Sequence, residues 1–168
     1  MKAVLISIQP KWCELIASGK KTVEVRKTKP KLETPFKCYI YETQGRTETP
    51  FVDEDGHEIF KGRGQVIGEF ICDYVVRHCE MSNADLAEEM SCVPREDILK
   101  YSNGKEVFGW HISDLVIYDK PKELREFKQC HKCEYYANCY EHEYSCDGVY
   151  NLTRPPQSWC YVEELKGE

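Results

Sequence analysis

Ala3-Val4-Leu5-Ile6-Ser7-Ile8-Gln9-Pro10-Lys11-Trp12-Cys13-Glu14-Leu15-Ile16-Ala17-Ser18-Gly19-Lys20-Lys21-Thr22-Val23-Glu24-Val25-Arg26-Lys27 carries three structural signals in succession. Residues 3–8 form a short β-branched apolar run, the pattern of a buried central strand. Pro10 suits the first turn of a helix, where its missing N–H has no partner to lose. Trp12, Leu15 and Ile16 then fall at i, i+3 and i+4 on one stripe, and Gly19 is a natural C-terminal stop. A second strand over 21–27 follows. Its alternation predicts Val23 and Val25 facing the core, with Thr22, Glu24 and Arg26 outward together. Strict alternation leaves Lys21 on the valine face unless the turn after Gly19 swings it across.

Further strands are expected at 36–42, 65–76, 106–118 and 158–162, with Gly68 as a bulge and a break near Asp114. Helical signals lie within 82–103: a cap at Ser82-Asn83-Ala84-Asp85, Pro94 opening a second helix, and Asn103-Gly104 ending it. The polar stretch 43–63 reads as a hairpin or a lid. Strands dominate, so the predicted fold class is α+β: a small mixed β-barrel with two or three short helices. The whole of 1–168 is read as one domain, with 128–147 a candidate metal-binding insert.

Hydrophobic residues make up 41% and charged residues 31%, an ordinary globular mixture. No apolar run approaches the roughly 18 residues of a membrane span. The apolar start is too short for a signal peptide, which predicts a cytoplasmic protein. The net charge of −6 argues against nucleic-acid binding over the whole surface. Residues 1–37, however, hold nine Lys/Arg against three Asp/Glu, while the remainder holds 14 against 26. That asymmetry favours one localised site for an anionic ligand. No phosphate-loop, dinucleotide or zinc-protease motif occurs.

The candidate site is the segment from Gly19 to Arg26. Arg26 can present a planar fork to phosphate or carboxylate. Glu24 can accept hydrogen bonds from a base edge, or act as a base if desolvated. The alternative is a structural Glu24–Arg26 or Glu24–Lys21 ion pair. Lys11 opposes the helix dipole, and with free backbone amides it could hold an anion. Trp12 and Trp110 are more simply core side chains, although Trp110 could also stack a base. His57, His78 and His142 have no evident partners.

Ser7-Ile8-Gln9-Pro10-Lys11 followed by Leu15-Ile16-x-x-Gly19-x-Lys21-x-x-Glu24-x-Arg26 resembles the ASCH domain signature, whose core is G-x-K-x-x-E-x-R. Gly68-Glu69-Phe70, Trp110-His111-Ile112-Ser113, Asp119-Lys120-Pro121 and Arg154-Pro155-Pro156-Gln157-Ser158-Trp159 strengthen the likeness, in particular to phage-related bacterial members. The resemblance implies a PUA-like barrel that binds RNA or a nucleotide in a cleft beside the motif. Ligand-binding positions would be Lys11, Lys21, Glu24, Arg26, Trp110 and Ser158, with His111 nearby. It also admits a small hydrolase acting on RNA or a modified nucleoside, with Lys21 and Glu24 as acid–base groups. The hydrolase-type members carry a hydroxyl residue where this chain has Glu24, so a nucleophilic threonine is not implied, and Thr22 does not supply one. An interaction module with no small ligand is the third class.

Ten cysteines are many for 168 residues. Cys13, Cys38 and Cys72 lie in apolar stretches and are expected to be buried. Cys130, Cys133, Cys139 and Cys146 form C-x₂-C-x₅-C-x₆-C, a set able to surround one structural Zn²⁺, with His131 or His142 as alternative ligands. The segment is too polar to fold by its own burial, and a metal would supply the missing stability. Free thiols and an iron–sulfur cluster are the other readings. Tyr135, Tyr136, Tyr140 and Tyr144 could cover the knuckle or stack on bases.

Overall fold

The computed structural model describes residues 1–44, 51–52, 56, 58–59, 62–77, 84–130 and 149–165. The apolar start forms β1 (Lys2–Ile8), which leads into α1 (Pro10–Ala17) and β2 (Val23–Arg26). The chain continues through β3 (Phe36–Glu42), the short strands β4 (Phe51–Val52) and β5 (Glu58–Ile59), β6 (Val66–Cys72) and β7 (Val75–Arg77). Helices α2 (Ala84–Ser91) and α3 (Arg95–Ser102) precede β8 (Phe108–His111) and β9 (Ser113–Lys122). After a 3-10 turn at Leu124–Glu126 come β10 (Lys128–Cys130), β11 (Val149–Asn151) and β12 (Trp159–Glu163).

Seven strands form one sheet in the order β11-β10-β12-β1-β3-β6-β9, and β2-β8-β7 form a second. β1 lies parallel to β3 and antiparallel to β12. Both of its faces are covered, which accounts for its unbroken apolar run. Val4, Ile6 and Ile8 pack with Cys13, Ile16, Phe70 and Trp110 on one side. Ala3 and Leu5 pack with Tyr39, Phe127, Leu152 and Val162 on the other. Cys13, Cys38 and Cys72 are buried as expected.

The sheets do not close into the expected barrel. Both edges of β1 are taken by β12 and β3, so β2 has no ladder to join there. The two sheets are linked instead through the chain segments that turn from β6 into β7 and from β8 into β9. The strand expected over 65–76 is therefore two strands, interrupted at Asp73 and Tyr74, and that over 106–118 breaks at Ile112. Asp114 adopts φ 45° within β9, a left-handed kink one residue past that strand's start. Gly68 is required by proximity: a Cβ there would lie 2.4 Å from Val116 O across the β6–β9 ladder, where the register shifts.

α3 ends as the sequence predicts, with Asn103 (φ 49°) and Gly104 (φ 73°) both left-handed. β4 and β5 pair antiparallel, the hairpin expected between 43 and 63. The strands β10 and β11 were not foreseen. Residues 128–130 belong to the main sheet, and Cys130 pairs with Val149, so the segment between them leaves and returns at one point. Cys133, Cys139, Cys146, His57, His78, His131, His142 and the four insert tyrosines lie outside the described residues.

Candidate functional site

The turn after Gly19 does swing Lys21 across. Gly19 takes φ 75°, Lys21 N bonds Leu15 O, and the regular strand begins only at Val23. The strand's facing departs from the expected one: Val23 is buried as expected at 1% exposure, but Glu24 and Arg26 are buried too. Glu24 is directly opposite Trp110 in the β2–β8 ladder, and both belong to the sheet face turned toward the core. Glu24 and Arg26 are consequently buried at 6% and 9% exposure, while Val25 is half-buried. Alternation places both valines inward and the charges outward; in the folded chain Val23 is buried, Val25 is only half-buried, and the face turned toward Trp110 carries the charges.

That charge is tightly organised. Lys21 Nζ donates to Val23 O at 2.9 Å and Ser91 O at 2.6 Å, and lies 3.3 Å from Glu24 Oε2. These three partners match the three donors of an ammonium. Arg26 Nη2 donates to Ser7 O at 2.6 Å and lies 2.9 Å from Glu24 Oε1. Arg26 Nη1 reaches Ser158 Oγ at 3.4 Å. One carboxylate thus bridges two cations, leaving one positive charge in excess within the triad. Arg26 Nε is buried with no hydrogen-bond partner among the described residues. A buried unpaired donor costs roughly 1–3 kcal/mol, so an acceptor there would be stabilising.

The surrounding side chains divide clearly. Trp12 is half-buried, with Lys11 Nζ 4.3 Å and Lys21 Nζ 5.2 Å from its ring centroid, a cation–π arrangement on a single indole. Trp110 is fully buried against Phe36 and Trp159, in edge-on contacts at 5.9 Å each, and its indole N–H has no partner among the described residues. It is a core side chain here, with no face open to a base. Cys13 is buried beside the cluster and donates to Ile8 O at 3.7 Å. Burial first, then the charges of Glu42, Glu24 and Glu14, push its thiol well above the ordinary range despite Arg26, so it remains a protonated packing group.

Ser158, separated from Arg26 by 132 residues, is brought to the cluster. His111 is not. It lies opposite Val23, on the other sheet face, bonded to Asp73 Oδ1 at 2.6 Å and stacked on Tyr74 at 4.4 Å. Among the described residues no group of three or more His, Cys, Asp or Glu could hold a metal.

Sequence reasoning missed the three backbone carbonyls that orient the cations, those of Ser7, Val23 and Ser91. Ser7, a polar residue inside an apolar strand, was a visible signal. Ser91 carried none, because its contact is through the backbone and spans 70 residues.

This arrangement puts G-x-K-x-x-E-x-R immediately after a buried strand and a short helix, with all three charged side chains in one cluster. A sequence model described as the ASCH domain matches residues 6–153. The chain belongs to the ASCH domain family. Solved structures similar to it are ASCH from Zymomonas mobilis and two single-residue variants of that protein. The first is 20% identical, covers 96% of this chain and 88% of that one, and has a TM-score of 0.57. A tyrosine-to-phenylalanine variant gives 20% identity, coverages of 98% and 92%, and a TM-score of 0.58. A serine-to-alanine variant gives 19%, 96% and 89%, and 0.57. At this identity the likeness establishes the ASCH fold. No curated protein matches the chain. No helix among the described residues is long and apolar enough to cross a membrane.

Proposed function

We propose that this ASCH domain binds RNA or a nucleotide-like ligand at the outer edge of the Lys21–Glu24–Arg26 cluster, where Arg26 meets Ser158. The observation that carries the reading is the excess positive charge of a buried triad whose Arg26 Nε lacks an acceptor. Charge taken out of water is costly, and retaining it is typical of working sites. Lys21 is saturated and serves to hold Glu24. Arg26 keeps the largest exposure of the three side chains, 11%. It is the member best placed to meet a phosphate, with Ser158 Oγ as a second polar contact. Lys11, beyond Trp12, would add a peripheral positive charge.

Arg26→Ala should weaken binding of an RNA oligonucleotide by about 1–3 kcal/mol, the range for a charge-assisted hydrogen bond. Titration of wild type and variant, each verified as folded by circular dichroism, measures this. Unchanged affinity would put the ligand elsewhere and leave the triad a structural device.

The 3.3 Å approach of Lys21 Nζ to Glu24 Oε2 favours one second reading, a hydrolase acting on the same ligand with these two as acid–base pair. Turnover abolished by Glu24→Gln, with binding retained, would select it.

For the insert we propose a structural Zn²⁺ held by Cys130, Cys133, Cys139 and Cys146. The pairing of Cys130 with Val149 closes the base of the segment and supports a self-contained knuckle. Freshly purified protein should carry about one equivalent of zinc with four thiolate ligands. Chelation should increase amide exchange around the knuckle while sparing β1, β3 and β6. Metal well below stoichiometric in never-chelated protein would refute this.

A further inference from the structure

Of the buried charged side chains among the described residues, Lys21, Glu24 and Arg26 form the triad, and the fourth, Glu42, stands apart at 7% exposure. Along β3 the alternate residues Phe36, Cys38 and Ile40 pack into the core between the sheets, and Glu42 is next in that row. It lies in register with Ile8 of the parallel strand β1, whose side chain enters the same core. The triad is tied to this end of β1 as well. Arg26 donates to Ser7 O at 2.6 Å, and Cys13 donates to Ile8 O at 3.7 Å. The Cys13 thiol, raised first by burial, is raised next by Glu42 and then by Glu24, and lowered by Arg26, so Glu42 and the triad surround one side chain. β1 and β3 reach this point at their carboxyl ends, the position where sheets with parallel strands gather their ligands.

Glu42 is held from both sides. Its backbone N–H donates to Gln65 O at 2.9 Å, its carbonyl accepts from Gly64 N at 3.1 Å, and its Oε2 accepts from Arg63 N at 2.7 Å. Gly62 permits that close approach, because a Cβ there would lie 1.9 Å from Thr43 O and 2.6 Å from Pro10 Cγ. The Arg63 amide is the one hydrogen-bond partner of the carboxylate among the described residues. An ionised carboxylate has about four acceptor positions, and burying it is costly unless they are met. Capping one amide needs an oxygen but no charge, so a glutamine would serve that role. Glu24, by contrast, has a cation on each of its oxygens. Glu42 is therefore the carboxylate with acceptor capacity to spare.

A ligand that meets Arg26 with a phosphate needs N–H donors to meet Glu42. The nucleobases differ sharply in this respect. Uracil flanks its one ring N–H with two carbonyl oxygens, which a carboxylate repels, and adenine and cytosine set a ring-nitrogen acceptor beside the amino group. Guanine offers two adjacent donors, N1–H and the 2-amino group, and these match the two oxygens of a carboxylate. We infer that Glu42 is the base-reading residue of this site and that it selects guanine, its two oxygens accepting from N1–H and the 2-amino group. The inference rests on the proposed nucleotide-type ligand and names its base.

Calorimetric titration of the full chain with 5′-GMP, 5′-IMP, 5′-AMP and 5′-UMP is the test. IMP lacks only the 2-amino group, so wild type should bind GMP about tenfold or more tightly than IMP, and AMP and UMP more weakly still. Glu42→Gln should fold as wild type does by circular dichroism, since its side-chain oxygen still accepts the Arg63 amide. It should bind GMP no better than IMP. Arg26→Ala, in contrast, should weaken GMP and IMP alike. Equal binding of all four nucleotides by wild type overturns the guanine assignment and keeps the Arg26 site. A Glu42→Gln protein that retains the GMP preference overturns it too. A comparison on wild type alone decides the matter should the variant not fold: 1-methyl-GMP, which lacks the N1–H, binding as tightly as GMP overturns the inference. A wild-type protein that binds an RNA oligonucleotide of uridines but no GMP sinks the role of Glu42 alone, and one that binds neither sinks both ideas.

Discussion

Glu24→Ala should destabilise the protein by about 3–5 kcal/mol, the cost of removing one partner from a buried ion pair. The reason is local. Lys21 and Arg26 have side-chain exposures of 1% and 11%, and among the described residues Glu24 is the one carboxylate that touches both. Without it two cations remain in the interior with backbone carbonyls and a serine hydroxyl as partners. For a chain of this size the melting temperature should fall by roughly 6–20 °C. Urea unfolding of wild type and variant provides the measurement. A loss below about 1 kcal/mol would mean that the pair is effectively solvated, as exposed pairs are. A control distinguishes charge from shape. Replacing all three with apolar residues of similar volume should recover much of the lost stability, since no uncompensated charge remains.

The second large effect is expected at Trp110. Its truncation to alanine should cost about 3–5 kcal/mol, the range for deleting a buried aromatic ring. Trp110 is fully buried where the two sheets face one another, touching Phe36 on one side and Trp159 on the other. Trp110→Phe should cost much less, because most of the ring is retained and the unpartnered indole N–H is removed rather than exposed to a loss. Chemical denaturation of the two variants compares them directly. Equal losses would show that the indole N–H does have an acceptor in solution, and would direct attention back to a ligand beside β8.

Much of this protein is local enough to be read from its residues. β1, α1 and β3 came out within one residue of their expected ends, because an apolar run, a proline start and a β-branched segment act through nearest neighbours. The motif charges were likewise recognisable as a group, and so was the burial of Cys13, Cys38 and Cys72. The facing of β2 was not. Alternation reveals that Glu24 and Arg26 share a side, but which side is inner depends on β8, whose Trp110 stands opposite Glu24 across the ladder.

The acceptors that hold the cluster were equally hidden. Ser91 O comes from 70 residues away along the chain, and a backbone carbonyl has no signature in sequence; Ser158, 132 residues from Arg26, was marked only by the family likeness. The corner that turns β6 into β7 escaped notice because it lies inside a segment of strong strand propensity, whereas the break between β8 and β9 was expected near Asp114 and falls at Ile112. The same propensity suggested a closed barrel. Closure depends on free strand edges, and β1 has none left once β3 and β12 are paired with it. By itself, then, the sequence determined the strand–helix–strand opening and the charged motif. The tertiary structure alone decided that this motif faces inward, since burial is a property of the packed neighbours and not of the segment that becomes buried.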